Sequence, residues 1–258
     1  MGYKIAFFDI DNTIYDWKNR CMVPSGIEAM KRLKKEGVLV VLSTARPYHS
    51  AKRFGVFELG VKFDGFLGSA GGIAIYHKIV IYKQTIDHKT LRKLCKTIVS
   101  LGLTAEVVTP KNRFLVAPPT DSLERYHLVY SEVVPPVHPY YNEDATGLLL
   151  HSTSEYDEFF QKEFPSIYFH RYHECGVDVM SAPRNKGEVM LVLLKHLGLT
   201  KEDAIAFGDD FQDIAMGQAA KFVCMGNGHP DVKASADEVT EEIWNDGLAK
   251  AIARNFGW

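Results

Sequence analysis

Two carboxylates close an apolar run in KIAFFDIDNTIYD, residues 4 to 16. Ile5 to Phe8 reads as a strand buried on both faces, where an unpaired charge costs several kcal/mol. Asp9 and Asp11 stand two residues apart, so in extended chain they leave the same side of the strand. Two like charges held together beyond a strand end favour a bound cation or a shared proton. A pair of solvated turn carboxylates has the same spacing. A second apolar run, AIAF, ends in GDDFQD at 208–213, where Asp209 and Asp213 share a face of any helix that begins promptly. Acids at a helix start are also ordinary partners of its dipole.

Two further positions complete the set. VLVVL ends in STAR at 43–46, where the Thr44 hydroxyl can bond a phosphate oxygen and Arg46 can add charge. Capping of the next helix, with Pro47 at its start, explains that segment at least as well. Lys186, in RNKGEVM, precedes a helical pattern, a mildly unfavourable place for a cation unless an anion lies nearby. Dipole partnership does not account for acids ending two separate strands and a hydroxyl ending a third. Hard oxygen donors so arranged suit Mg²⁺.

Strand-like and helix-like patterns alternate at the N-terminus: Ile5 to Phe8, Ser25 to Glu36 with Gly37 as stop, Val38 to Leu42, and Tyr48 to Phe54. This alternation predicts an α/β fold with a doubly wound parallel sheet. Glycine-broken strands from residue 64 predict a hairpin or meander, and Asp87 is placed to cap a helix ending near Gly102. Residues 83–182 then mix strands (105–108, 114–117, 148–151, 167–172) with helices and the loop PPVHP, as an inserted α+β module would. From Lys186 the α/β rhythm returns, with a helix expected over 211–220. The expected division is a core of residues 1–82 and 183–258 around an insertion of 83–182.

The chain of 258 residues carries 30 Lys+Arg against 32 Asp+Glu, which leaves no general electrostatic footprint for nucleic acid or an anionic membrane. Its four cysteines are scattered, which favours free thiols in a reducing compartment. No apolar run reaches the ~20 residues of a membrane span, and MGYKIAFFDI lacks the marks of a signal peptide, so the cytoplasm is expected. His170, His173 and Cys175 in HRYHEC suggest a transition metal only superficially, since strand alternation points His170 away from His173.

Taken in order, DIDNT (9–13), STAR (43–46), NKG (185–187) and GDDFQD (208–213) resemble the four motifs of the haloacid dehalogenase (HAD) superfamily of phosphatases. The layout is similar to its class IIB, Cof-like sugar-phosphatase branch, a Rossmann-like core with an α/β cap inserted between the second and third motifs. The resemblance implies that Asp9 is the nucleophile, forming an aspartyl-phosphate, and that Asp11 is the acid and base. It implies that Mg²⁺ is held by Asp9, the Asp11 carbonyl and Asp209, with Asp213 in support, and that Thr44 and Lys186 bind the phosphoryl oxygens. A small phosphorylated metabolite, such as a sugar phosphate, is the implied substrate, selected by the cap. A sugar phosphomutase shares the covalent step. A receiver-type signalling domain shares the acids, Thr and Lys, but is about half this length. The chain departs from the family's usual residues at Asn12, Ala45 and Gln212.

Overall fold

The computed structural model describes residues 2–130 and 133–258. The chain divides into two compact units, Met1–Lys83 with Arg184–Trp258, and Gln84–Pro183. The first unit begins with β1 (Ile5–Phe8), the short hairpin β2 (Tyr15–Asp16) and β3 (Cys21–Met22), α1 (Pro24–Lys35), β4 (Leu39–Ser43), α2 (Tyr48–Arg53), β5 (Gly65–Gly68), β6 (Ile73–Tyr76) and β7 (Ile79–Lys83). The second contains α3 (His88–Ser100), β8 (Thr104–Val108), β9 (Arg113–Leu115), α4 (Asp121–Tyr130), β10 (Gly147–His151), α5 (Asp157–Glu163), β11 (Tyr168–His173) and β12 (Gly176–Met180). The first unit resumes with α6 (Lys186–Leu197), β13 (Ala204–Gly208), β14 (Lys221–Cys224), α7 (Pro230–Ser235), β15 (Glu238–Val239) and α8 (Gly247–Phe256).

The first unit is built on a sheet of order β15-β14-β13-β1-β4-β5-β6-β7. Pairing is parallel from β15 through β5 and antiparallel across β5, β6 and β7, the meander expected from the glycine-broken segment. Alternate residues of β1 face opposite layers. Ala6 and Phe8 pack in the core shared with α1 and α8, whereas Ile5 and Phe7 join the one shared with α6. The register sets Phe8 beside Leu42 on β4 and Phe207 on β13. Asp9, Thr44 and Asp209 therefore emerge from one edge, beyond the carboxyl ends of three adjacent strands, where open α/β sheets bind ligands.

Residues 211–218 form a 3₁₀ run rather than the α-helix expected over 211–220. The Asp213 N–H bonds to the Asp210 carbonyl at 2.8 Å, and its carboxylate caps the N–H groups of Asp209 and Asp210. The i to i+3 backbone bond tightens the first turn, and the carboxylate caps hold it closed.

In the second unit an antiparallel sheet of order β11-β12-β10-β8-β9 turns one face to α3 and α5, where Leu91, Leu94, Ala105, Val107, Leu148, Leu150 and Phe160 form the core. Asp87 caps α3 through the Thr90 N–H at 3.0 Å. Glu106 points to the other face, 1% exposed. Its Oε2 accepts from Arg113 Nη1 at 2.7 Å, and its Oε1 lies 3.3 Å from His127 Nε2 and 3.1 Å from His151 Nε2. Burial alone would raise this carboxyl, but the His127 and His151 contacts and the Arg113 charge outweigh it and lower it to about 2. A carboxyl lowered on folding contributes stability above its ordinary value, and that contribution fades as pH falls toward about 2. Glu106→Gln is expected to cost about 3 kcal/mol in urea unfolding at pH 7, because it removes the buried anion that Arg113, His127 and His151 share. The difference from the parent protein should shrink steadily below pH 4.5, the ordinary value of the carboxyl; an undiminished difference at pH 3 contradicts the assignment.

Candidate active site

The site lies wholly within the first unit. Asp9 follows β1 directly, with its N–H held by the Phe207 carbonyl at 2.9 Å. Lys186 Nζ donates to Asp9 Oδ1 at 2.8 Å and to Asp213 Oδ1 at 2.6 Å, and all three side chains are buried. Lys186 begins α6, and Asn185 caps that helix by accepting the Gly187 N–H at 2.8 Å. Its position before a helix, unfavourable alone, is offset by two buried anions.

Close approach here depends on two glycines. A Cβ on Gly208 would lie 2.5 Å from Asp213 Cγ, and one on Gly187 would lie 2.0 Å from the Ala215 carbonyl oxygen. Their lack of a side chain lets the 3₁₀ run press Asp213 onto β13 and α6.

Asp9, Asp209 and Asp213 each present an oxygen, all within 4.8 Å of one another. Three carboxylates face one ammonium, and the electrostatics register the excess. Burial pushes the Asp9 carboxyl well above the ordinary range; Lys186 opposes this, and Asp213 and Asp11 add to it. Burial, then Asp213 and Asp210, push Asp209 up to about 7, against the Asn12 side chain that bonds it and against Lys186. Burial alone would depress the Lys186 ammonium, but Asp213 and Asp9 hold it above its usual value. A cluster of hard oxygen donors with surplus negative charge fits a divalent cation.

Asp11 is arranged differently. The strand stops at Phe8, and Asn12 takes a left-handed φ of 53°. The Asp11 carboxylate lies outside the acidic cluster, accepting Arg46 Nε at 2.9 Å on Oδ2, and Arg46 Nη2 at 2.7 Å and Trp17 Nε1 at 2.8 Å on Oδ1. Arg46 rests over the Phe54 ring at 3.9 Å. Arg46, read from sequence as added charge beside a phosphate, is thus engaged with Asp11. Thr44 is buried at the end of β4, where its hydroxyl accepts the Arg46 N–H at 3.1 Å.

The family model for haloacid dehalogenase-like hydrolases matches residues 6–252. The chain belongs to this family. YkrA of Bacillus subtilis (strain 168) is 28% identical to this hydrolase over 260 residues, covering 98% of this chain and 97% of its own. Phosphatase YwpJ of the same organism is 24% identical over 293 residues, covering 95% and 97%. Among solved structures, the HAD subclass IIB sugar phosphatase BT4131 is 26% identical with a TM-score of 0.76, covering 98% of this chain and 99% of its own. The protein is accordingly a HAD phosphatase, with a Rossmann-like α/β core.

In this HAD hydrolase the six residues singled out from sequence separate into groups. Asp9, Lys186, Asp209 and Asp213 converge; Asp11 and Thr44 meet through Arg46. Trp17 escaped sequence reading because it sits on a hairpin outside every motif, and its indole is an ordinary half-exposed aromatic until Asp11 is placed beside it. Asn227, whose Nδ2 donates to the Asn12 carbonyl at 2.9 Å, comes from 215 residues away. HRYHEC makes no metal grouping among the described residues: His173 Nδ1 accepts the Cys175 N–H at 3.1 Å, and His170 stacks on Tyr168. Also among the described residues, no helix is long and apolar enough to cross a membrane.

Gly208→Ala is expected to displace the Asp213 carboxylate and lower stability by about 1–3 kcal/mol, with a matching loss of divalent-ion affinity. Thermal unfolding with and without the ion checks this. A parent-like melting temperature and ion response speak against so tight a fit.

Proposed function

We propose that the protein is a Mg²⁺-dependent phosphatase that hydrolyses a small phosphorylated metabolite of the sugar-phosphate class through an aspartyl-phosphate on Asp9. The observation that carries this reading is the buried Lys186 bridging Asp9 and Asp213, with Asp209 alongside. Asp9, the Asp11 backbone carbonyl, Asp209 and Asp213 would hold Mg²⁺. When bound, the ion neutralises the carboxylates and the phosphoryl charge.

An Asp9 carboxylate oxygen attacks phosphorus, and the ester P–O bond breaks. The leaving oxygen takes a proton from Asp11. Water then attacks the phosphoryl group and gives a proton to Asp11, the bond to Asp9 breaks, and inorganic phosphate leaves. Lys186 and Thr44 would bind the non-reacting phosphoryl oxygens, so that a dianion can approach a carboxylate. On Asp11, Oδ1 already accepts two hydrogen bonds and Oδ2 one. Oδ2 therefore keeps one acceptor site free, and the Arg46 fork would have to loosen for that oxygen to hold the proton. The unit Gln84–Pro183 would act as the cap that selects the leaving group. The sugar-phosphate class rests on the likeness to BT4131, itself a sugar phosphatase.

Asp9→Asn should lower turnover by about a thousandfold or more while preserving the circular dichroism spectrum, and chelation should abolish activity reversibly. An Asn variant that cleaves p-nitrophenyl phosphate at the parent rate removes the nucleophile assignment. Asp11→Asn should slow an alkyl phosphate by about 10²-fold or more, yet slow p-nitrophenyl phosphate, whose leaving group needs little protonation, far less. Equal losses on both substrates count against Asp11 as the acid.

A further inference from the structure

We propose that Glu106, His127 and His151 form a second metal site, in the inserted unit, for a Zn²⁺-class transition-metal ion bound through two imidazole Nε2 atoms and Glu106 Oε1. The three groups are drawn from β8, α4 and β10, and each presents one ligand atom within 4.8 Å of the others. Strand alternation explains how they meet. Ala105 and Val107 on β8, and Leu148 and Leu150 on β10, enter the core shared with α3 and α5, so Glu106 and His151 turn to the opposite face. There α4 brings His127 down onto them.

Both imidazoles aim the same nitrogen at the same carboxylate oxygen, at 3.3 and 3.1 Å. Four ligands about 2.0–2.1 Å from a tetrahedral Zn²⁺ lie about 3.3–3.4 Å from one another, so both histidine–carboxylate pairs already stand close to the separation the ion requires. Arg113 Nη1 bonds the other oxygen, Oε2, at 2.7 Å and so orients the carboxylate while leaving Oε1 to the ion. Two imidazoles and one carboxylate favour Zn²⁺ or Co²⁺ over Mg²⁺, and the nearby guanidinium further disfavours a hard ion that gains only from charge. Three protein ligands leave the fourth position to a bound water molecule. The Nδ1 atoms of both histidines are buried without a hydrogen-bond partner among the described residues.

A metal-free cluster, in which both Nε2–H groups donate to Glu106, has the same contacts and is the alternative under test. The bound ion would staple α4 to the sheet. None of the three residues belongs to the Asp9, Asp209 and Asp213 cluster, so the two sites can be read separately.

Full-length protein stripped of metal is titrated with Co²⁺ in the presence of excess Mg²⁺. One equivalent should develop the intense visible absorption of tetrahedral Co²⁺, and equimolar Zn²⁺ should displace it and raise the melting temperature by several degrees. The absorption should vanish in His151→Gln and in His127→Gln, and persist in Asp209→Asn. If His151→Gln does not fold, His127→Gln, altered at the rim of the cluster, gives the reading. Absence of the absorption in the unmutated protein overturns the proposal, as does its survival in a folded histidine variant or its loss in Asp209→Asn.

Discussion

One buried ammonium between two carboxylates, Lys186 with Asp9 and Asp213, is the contact on which the site depends. It joins the end of β1 to the first residue of α6, 177 residues on, and to the 3₁₀ run after β13, a further 27 residues along the chain. The desolvation of such a group is tolerable only with close, well-directed partners. That requirement explains why α6 needs Gly187 and β13 needs Gly208: a methyl group at either position would hold the anions away. Burial first, and then the surplus of neighbouring negative charge, push the Asp9 and Asp209 carboxyls upward. A cluster of hard oxygen donors built this way fits a divalent cation.

Asp11 belongs to a second, linked arrangement. Arg46 follows Thr44 by two residues, so the loop that carries the hydroxyl also carries the fork that grips the Asp11 carboxylate. Trp17 closes the grip from the β2–β3 hairpin, and Arg46 is held in turn over Phe54. Asp9 and Asp11, two residues apart in sequence, are thereby given different surroundings.

Much of this was legible in the sequence because it depends on short-range pattern. Continuous apolar runs marked β1, β4 and β13, and parallel register then brings their acid and hydroxyl ends to one edge without further information. Asn12 stood out in the sequence as a departure from the family's usual residue; its left-handed backbone and its lowering influence on Asp209 appear only in the fold. Asp213 was legible as an acid sharing a face with Asp209, but its capping of two backbone N–H groups, which tightens the run into a 3₁₀ helix, was not. Gln212, a departure from the family's usual residue, is exposed. The Glu106 cluster was invisible for the same reason as Trp17: its members lie in three elements at unrelated spacings, and only the sheet register and the placement of α4 bring them together. The histidines that sequence spacing did advertise, His170 and His173, make local contacts instead.

In the proposed reaction phosphorus bonds covalently to Asp9 during turnover. Rapid mixing of the Mg²⁺-loaded enzyme with a phosphorylated substrate, followed by borohydride reduction and peptide mass analysis, tests it directly, because reduction of an aspartyl-phosphate leaves homoserine in place of the aspartate. Homoserine is expected at position 9, and only when substrate is present. Turnover of the same sample with unmodified Asp9, or with the reduced residue at another aspartate, contradicts it.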